Sequence, residues 1–434
     1  MKNKVLDSIV KIAGCGIPIF WAGVISFGYP GVMSSYWQEK FHVGNTETGL
    51  VLTFMLLALA LVMFFTGRIH AKIGMAYCIL IGTAFYLIAF IILYFAKSIY
   101  WVYVWAFTVN LGCSFVYGPG LTTVQQAFPT RKGLVSGIIN LLFGISAAAL
   151  SPILNALLNH QGYNFVNLLT ISIMVISNMV AFLLVKIYIR EDNRSQQKAN
   201  SLHDMTVKES LKTKEFWLIW FVWIFMGASG ISMITLSKSY ATEIGKPGVS
   251  ILTTFNLANG LFRIVVGWLS DKIGARITGA LAFFLTTIGY LVMPHTSNLL
   301  IVCIGTIGVG IGFGALFTIS GPLAADIFGL TNFGMIYGII FTAYGLVAGV
   351  VGPAISGMIL EKTNNNYTIV FSYLGGMAFL GTLLIYCIND KKRKTDTNNT
   401  DTPEMKKSET EKKDINDNDS IMVEIECQLN PSLK

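Results

Sequence analysis

Asn256-Leu-Ala-Asn-Gly-Leu-Phe-Arg-Ile-Val-Val-Gly-Trp-Leu-Ser-Asp-Lys-Ile-Gly-Ala-Arg276 places one cation, Arg263, inside an apolar segment with no carboxylate within a helical turn on either side. A charge at the centre of a membrane helix costs about 2.5–3.5 kcal/mol on insertion scales, and such residues face a cavity or a partner. Asp271 stands further along, roughly 12 Å away on a helix and off the same turn. Arg263 therefore lies too deep to snorkel to the nearer surface. The stretch reads as a membrane span that carries a site for an anion. The competing reading is a structural ion pair with a distant carboxylate, for which Asp326, near a span end, is the candidate.

The rest of the chain supports a membrane class. Its 434 residues are 53% hydrophobic and 12% charged, with a mean hydropathy of +0.62; soluble chains carry about 25% charged residues. Runs such as Phe54–Phe65, Met75–Phe95 and Ile301–Phe317 hold no formal charge, and a helix needs roughly 20 apolar residues to cross the hydrocarbon. Twelve spans are predicted, near residues 11–36, 48–67, 75–96, 100–124, 133–158, 165–189, 216–237, 249–270, 277–294, 299–324, 333–360 and 367–388. The first run continues to full spanning length, unlike a cleaved signal peptide. The net charge of +8 would suit nucleic acid, but its distribution argues otherwise. Most Lys and Arg, from Lys2 to Arg276, fall on the side of the N-terminus, and the opposite side carries only Lys40, Lys97, Lys238, Lys246 and Lys362. This positive-inside bias predicts a multi-pass protein of the cell membrane with both termini in the cytoplasm. The six cysteines show no CxxC or metal spacing, and the five histidines fall in loops or at span ends. No disulfide framework, metal or other cofactor is expected.

An internal repeat organises the spans. Gly67-Arg-Ile-His-Ala-Lys-Ile-Gly74 and Gly267-Trp-Leu-Ser-Asp-Lys-Ile-Gly274 lie 200 positions apart. Gly137-Ile-Ile, Gly144 and Pro152 return as Gly338-Ile-Ile, Gly345 and Pro353 at 201, and Gly118-Pro119 returns as Gly321-Pro322 at 203. All fall in like-numbered spans of two six-helix halves, the architecture of transporters that rock about a midplane site. The predicted organisation is a first half over 1–189, a linker over 190–215, a second half over 216–388 and a polar, disordered tail over 389–434. Within the linker, 207–214 is predicted to lie on the surface as a short helix. The G-x-L-x-D-K-x-G-x-R form of the second loop resembles the signature of the major facilitator superfamily; in the first half Ala71 replaces the acid. Asp271 is expected to act as a latch, accepting hydrogen bonds near a helix end. Arg68, Pro152 and Pro353 are assigned gating or bending roles, and the span glycines are assigned to close helix packing.

Around Arg263 the chain offers uncharged hydrogen-bonding groups and no deep Asp or Glu. The candidate substrate-binding residues are Arg263, Asn259 one turn before it, Tyr344 near the middle of span eleven, Tyr117 in span four and Asn140 in span five. Tyr29 and Tyr36, seven apart on one face of span one, complete the set. A mid-membrane tyrosine needs a partner for its hydroxyl, and a central cavity offers one. Arginine suits a carboxylate because its fork binds bidentately. With no titratable acid beside it, the charge of Arg263 is most simply balanced by the substrate.

Asn259-Gly-Leu-Phe-Arg263, Tyr117-Gly-Pro-Gly120, Lys132-Gly-Leu-Val-Ser-Gly137, Ala325-Asp-Ile-Phe-Gly329 and Phe341-Thr-Ala343 resemble the oxalate/formate antiporter family, which is related to the monocarboxylate transporters. That resemblance implies an all-α fold of twelve membrane helices and transport by alternating access, with the span-eight arginine, here Arg263, on a substrate carboxylate. It implies no enzymatic activity. The oxalate exchanger carries a lysine after the Thr-Ala of span eleven, where this chain has Tyr344; the monocarboxylate transporters have an acid where it has Asn259. One site cation favours a singly charged substrate of the formate, lactate or pyruvate type. The alternatives are an oxalate or dicarboxylate:formate exchanger, or a transporter-like sensor signalling through its tail. The expected partners are the small anion, the lipid bilayer and a proton or counter-anion in symport or antiport, with the monomer as the working unit.

Overall fold

The computed structural model describes residues 2–189, 204–247 and 250–389. The expectations for 190–203 and for the tail beyond residue 389 lie outside the described residues. Within them the chain is all-helical, and eleven helices are long and apolar enough to cross a membrane. One of these, Glu47–Tyr94, has 48 residues, twice the length that a bilayer needs. It is broken at Gly74 (φ 80, ψ 172), so it supplies the second and third of twelve crossings.

Gly274, two hundred positions on, has φ 91 and ψ 148 where α9 (Ser250–Ile273) hands over to α10 (Ala275–Val292). Both glycines adopt a left-handed backbone that a side chain would strain, so the repeat holds down to the dihedral angles. The other helices that matter here are α4 (Ile99–Ala127), α5 (Lys132–Gln161), α8 (Lys214–Glu243) and α11 (Leu299–Phe328). Apolar residues turn outward as well as inward: Leu168 and Ile176 on Tyr163–Tyr188, and Leu300 and Ile304 on α11, are each at least 60% exposed, as suits helices whose solvent is lipid.

Two spans contain single π-helical turns. Val24–Gly28 interrupts span one, and Ala343–Ala348 interrupts span eleven between Phe333–Thr342 and Gly349–Lys362. Such turns widen the helix and re-aim the side chains next to them, and they gather at functional sites. Helix α5 runs on through Pro152, and Gly349–Lys362 runs on through Pro353. The predicted surface helix of the linker is present as Val207–Ser210, where Thr206 and Glu209 form a capping box.

The halves meet through close helix crossings. A Cβ on Gly267 would lie 2.4 Å from the carbonyl oxygen of Gly133, and one on Gly133 would lie 2.4 Å from that of Gly267. The same relation recurs between Gly67 and Gly334. These small residues let backbones touch where larger ones would hold the spans apart. At the end of α9, the two Asp271 oxygens accept the N–H groups of Gly133 and Leu134, each at 2.7 Å. Lys132 pairs with Asp326 at 2.7 Å beside them. The halves are therefore closed on the side of the signature loops.

Candidate functional site

Arg263 is buried between the halves, about 15 Å from the signature-loop end of α9. Its Nε donates to the carbonyl oxygen of Asn259 (3.0 Å), one terminal nitrogen to Asn259 Oδ1 (3.0 Å) and the other to the carbonyl oxygen of Asn140 (2.6 Å) across the interface. The Phe317 ring lies 5.1 Å from the guanidinium carbon. Of the five N–H groups that an arginine carries, three are thus spent, all on neutral oxygens. Among the described residues no carboxylate pairs with it. Asp326, the candidate for such a pair, is engaged by Lys132 instead.

The surroundings are shaped to hold this side chain. A Cβ on Gly144 would fall 3.4 Å from a terminal nitrogen of the guanidinium, and one on Gly314 would fall 3.3 Å from the Arg263 Cγ. Asn140 in turn donates to the carbonyl oxygens of Ser136 (2.8 Å) and Phe317 (3.3 Å), and its Oδ1 accepts the Tyr117 hydroxyl at 2.8 Å. Asn259 and Asn140 thereby fix the fork rather than line open space.

Open space lies beside them. A cavity of about 20 Å³ is lined by residues of both halves, including Ser26, Leu59, Asn110, Cys113, Tyr117, Phe143, Phe317, Phe341 and Tyr344. This is room for a single water, so entry of any organic substrate requires the spans to part. The Tyr344 ring packs among Trp223, Phe317 and Phe341, at 5.3–5.6 Å between centroids. Among the described residues its hydroxyl has no hydrogen-bond partner. Removing it should therefore leave the fold intact while weakening an anion in the cavity. Tyr344→Phe is expected to raise the KM for substrate about tenfold with an unchanged Tm; an unchanged KM would remove Tyr344 from the site.

The structure brings together Arg263, Asn259, Asn140, Tyr117 and Tyr344. It places the two span-one tyrosines elsewhere. Tyr29 is buried in the core of the first half among Trp37, Phe90 and Trp105, and its hydroxyl donates to Asn167. Tyr36 stacks on Tyr163 at 4.2 Å, with Lys40 5.6 Å from its ring. Both find partners within their own half, which corrects the expectation that they face the cavity. Arg68 is exposed and forms no latch among the described residues.

Sequence reasoning missed Phe317 and the pair Ser26–Asn110, whose hydroxyl donates to the amide oxygen at 2.7 Å on the cavity wall. An asparagine in the middle of span four was a readable signal; a phenylalanine in span ten was not.

Asp271 sits where the sequence predicts a latch. Its two charge-assisted bonds at a helix N-terminus have no equivalent at Ala71, the matching place in the first half. A cleft of about 430 Å³ opens there instead, lined by His70, Ala71, Thr123, Thr331 and Gly334 among others. His70 turns into this cleft, 3.1 Å from Thr123 Oγ1. Asp271→Asn should loosen the closed side by about 1.5–3 kcal/mol. The measurement is labelling of the cavity residue Cys113 from that side by an impermeant thiol reagent, in a chain with the other cysteines removed. Faster labelling is expected; an unchanged rate would refute the latch.

Comparison with known proteins agrees with this architecture. The family model of the Major Facilitator Superfamily matches residues 19–249 and 240–418. The oxalate:formate antiporter of Oxalobacter formigenes is 25% identical over 240 residues, covering 54% of this chain and 56% of that protein. Human monocarboxylate transporter 10 is 25% identical over 326 residues, covering 68% of this chain and 61% of that protein. The chain thus spans less than two thirds of either relative. The solved structure of the E. coli fucose:proton symporter superposes with a TM-score of 0.66 at 12% identity, over 87% of this chain and 98% of that one. The chain belongs to the Major Facilitator Superfamily, as a multi-pass membrane transporter and not an enzyme.

Proposed function

We propose that this transporter moves a small, singly charged organic anion, a monocarboxylate of the formate, lactate or pyruvate type, by alternating access. One observation carries the reading: a buried guanidinium between the halves, beside a central cavity, with three N–H groups on neutral oxygens and two left over. A carboxylate is the anion whose two oxygens match such a fork. Tyr344, on the wall of that cavity, supplies a further donor. Names of relatives at 25% identity point the same way, one handling oxalate and formate and one named for monocarboxylates.

The positive-inside bias supports placing the signature loops, and the closed side, in the cytoplasm. With the substrate as counter-charge of Arg263, transport is coupled to a counter-anion or to a proton. Reconstituted protein tested with labelled formate, lactate, pyruvate and oxalate, with and without a pH gradient, decides the matter. Saturable uptake of a monocarboxylate is expected. Preference for oxalate would instead support the dicarboxylate:formate exchanger.

A further inference from the structure

Arg263 has a counterpart in the other half. The two helix crossings obey the repeat residue by residue: Gly133 meets Gly267 as Gly334 meets Gly67. Gly137 lies on the backbone of Arg263 and Ile264, and Gly338 lies on the backbone of Met63 and Phe64. Position 63 is therefore the image of position 263, and the surroundings follow. Leu59 stands for Asn259 and Phe341 for Asn140; past the π-helical turn the register shifts, and Gly345 meets Ala60 and Leu56 where Gly144 meets the guanidinium.

The frame is the same, and the chemistry is not. Around Arg263, two of its three acceptors are backbone oxygens, those of Asn259 and Asn140. Residues 59 and 341 carry the same carbonyl groups. What is missing is the cation. Met63 is 1% exposed, and Leu59 and Phe341 present apolar walls to the cavity. Among the described residues, the site carries a cation on one side of the pseudo-twofold axis and none on the other.

Resting on the carboxylate reading of Arg263, we propose that Met63, with Leu59, is the specificity-determining counterpart of that subsite. It accepts the uncharged end of the substrate. A second carboxylate placed there would be desolvated against a thioether and a leucine, with the neutral Tyr344 hydroxyl nearby but no cation to balance its charge. The substrate class is thus narrowed to anions with one charged and one apolar or very small end.

The test uses the full-length protein in liposomes, with labelled formate, propionate and oxalate. In the wild type, oxalate should compete at least about tenfold more weakly than propionate. The double variant Leu59→Asn/Met63→Arg rebuilds the second fork and should narrow that gap by about tenfold or more. Met63→Gln keeps the volume while adding an amide, and should weaken propionate relative to formate by about threefold or more. The inference falls if wild-type oxalate competes as well as propionate. It also falls if Met63→Gln leaves the propionate-to-formate ratio unchanged, or if a double variant that still melts cooperatively leaves the oxalate ratio unchanged. If Arg263→Lys still takes up propionate, the carboxylate reading itself fails; if that variant is dead while selectivity ignores position 63, only this inference does.

Discussion

Arg263→Lys is expected to abolish uptake while the protein still reaches the membrane. The substitution keeps the positive charge, so it separates charge from geometry. A lysine at 263 has one nitrogen, and it cannot hold Asn259 Oδ1 and the Asn140 carbonyl while also offering a pair of parallel donors to a carboxylate. The oxygens that now orient the fork would compete with the substrate for a single ammonium. Losing a buried, hydrogen-bonded charge contact costs about 2–5 kcal/mol, a fall in affinity of at least thirtyfold. The check is initial uptake rate against substrate concentration, with surface expression measured in parallel. Undiminished uptake would remove Arg263 from the substrate, whatever the structure around it.

Gly267→Val should trap the transporter open on the side of the signature loops. The Cβ would fall 2.4 Å from one backbone oxygen and 3.3 Å from the Gly137 Cα. Neither is the movable end of a side chain, so α5 and α9 must separate. The separation also withdraws Asp271 from the N–H groups of Gly133 and Leu134. Closure on this side then loses both packing and latch, and alternating access stops. Uptake is expected to fall at least tenfold, as for a closed state disfavoured by about 1.4 kcal/mol or more. Spin-label distances between the signature-loop ends of α5 and α9 should lengthen by several ångströms. Unchanged distances would show that the close crossing is dispensable. Gly67→Val tests the matching contact with Gly334 in the same way.

These outcomes turn on different layers of information. The apolar runs and the 200-residue offset made the twelve crossings readable, because a bilayer imposes a length and a repeat imposes a topology. Arg263 was readable for the same reason: a lone cation in an apolar run is expensive. Asn259 followed from helical spacing alone. Asp271 was readable as a latch from the signature, but its partners are backbone N–H groups, which carry no residue identity. The Asn140 carbonyl on Arg263 is hidden for that reason too, and Phe317 is one apolar residue among many. Tyr29 shows the limit of periodicity, which tells which residues share a face but not whether that face meets a cavity or a sister helix. Its partner, Asn167, is 138 positions away.

Order along the chain thus settles the membrane class, the two-fold repeat, and the existence of a buried cation with no local counter-charge. Only the tertiary structure decides which uncharged groups surround that cation, that Asp326 belongs to Lys132, and that Gly338 crosses Met63 as Gly137 crosses Arg263. The physical reason is that insertion energy is a property of single segments, readable from local composition. Partner choice depends on how two halves cross, and backbone oxygens, glycine gaps and ring faces take up that role without leaving a mark in the sequence.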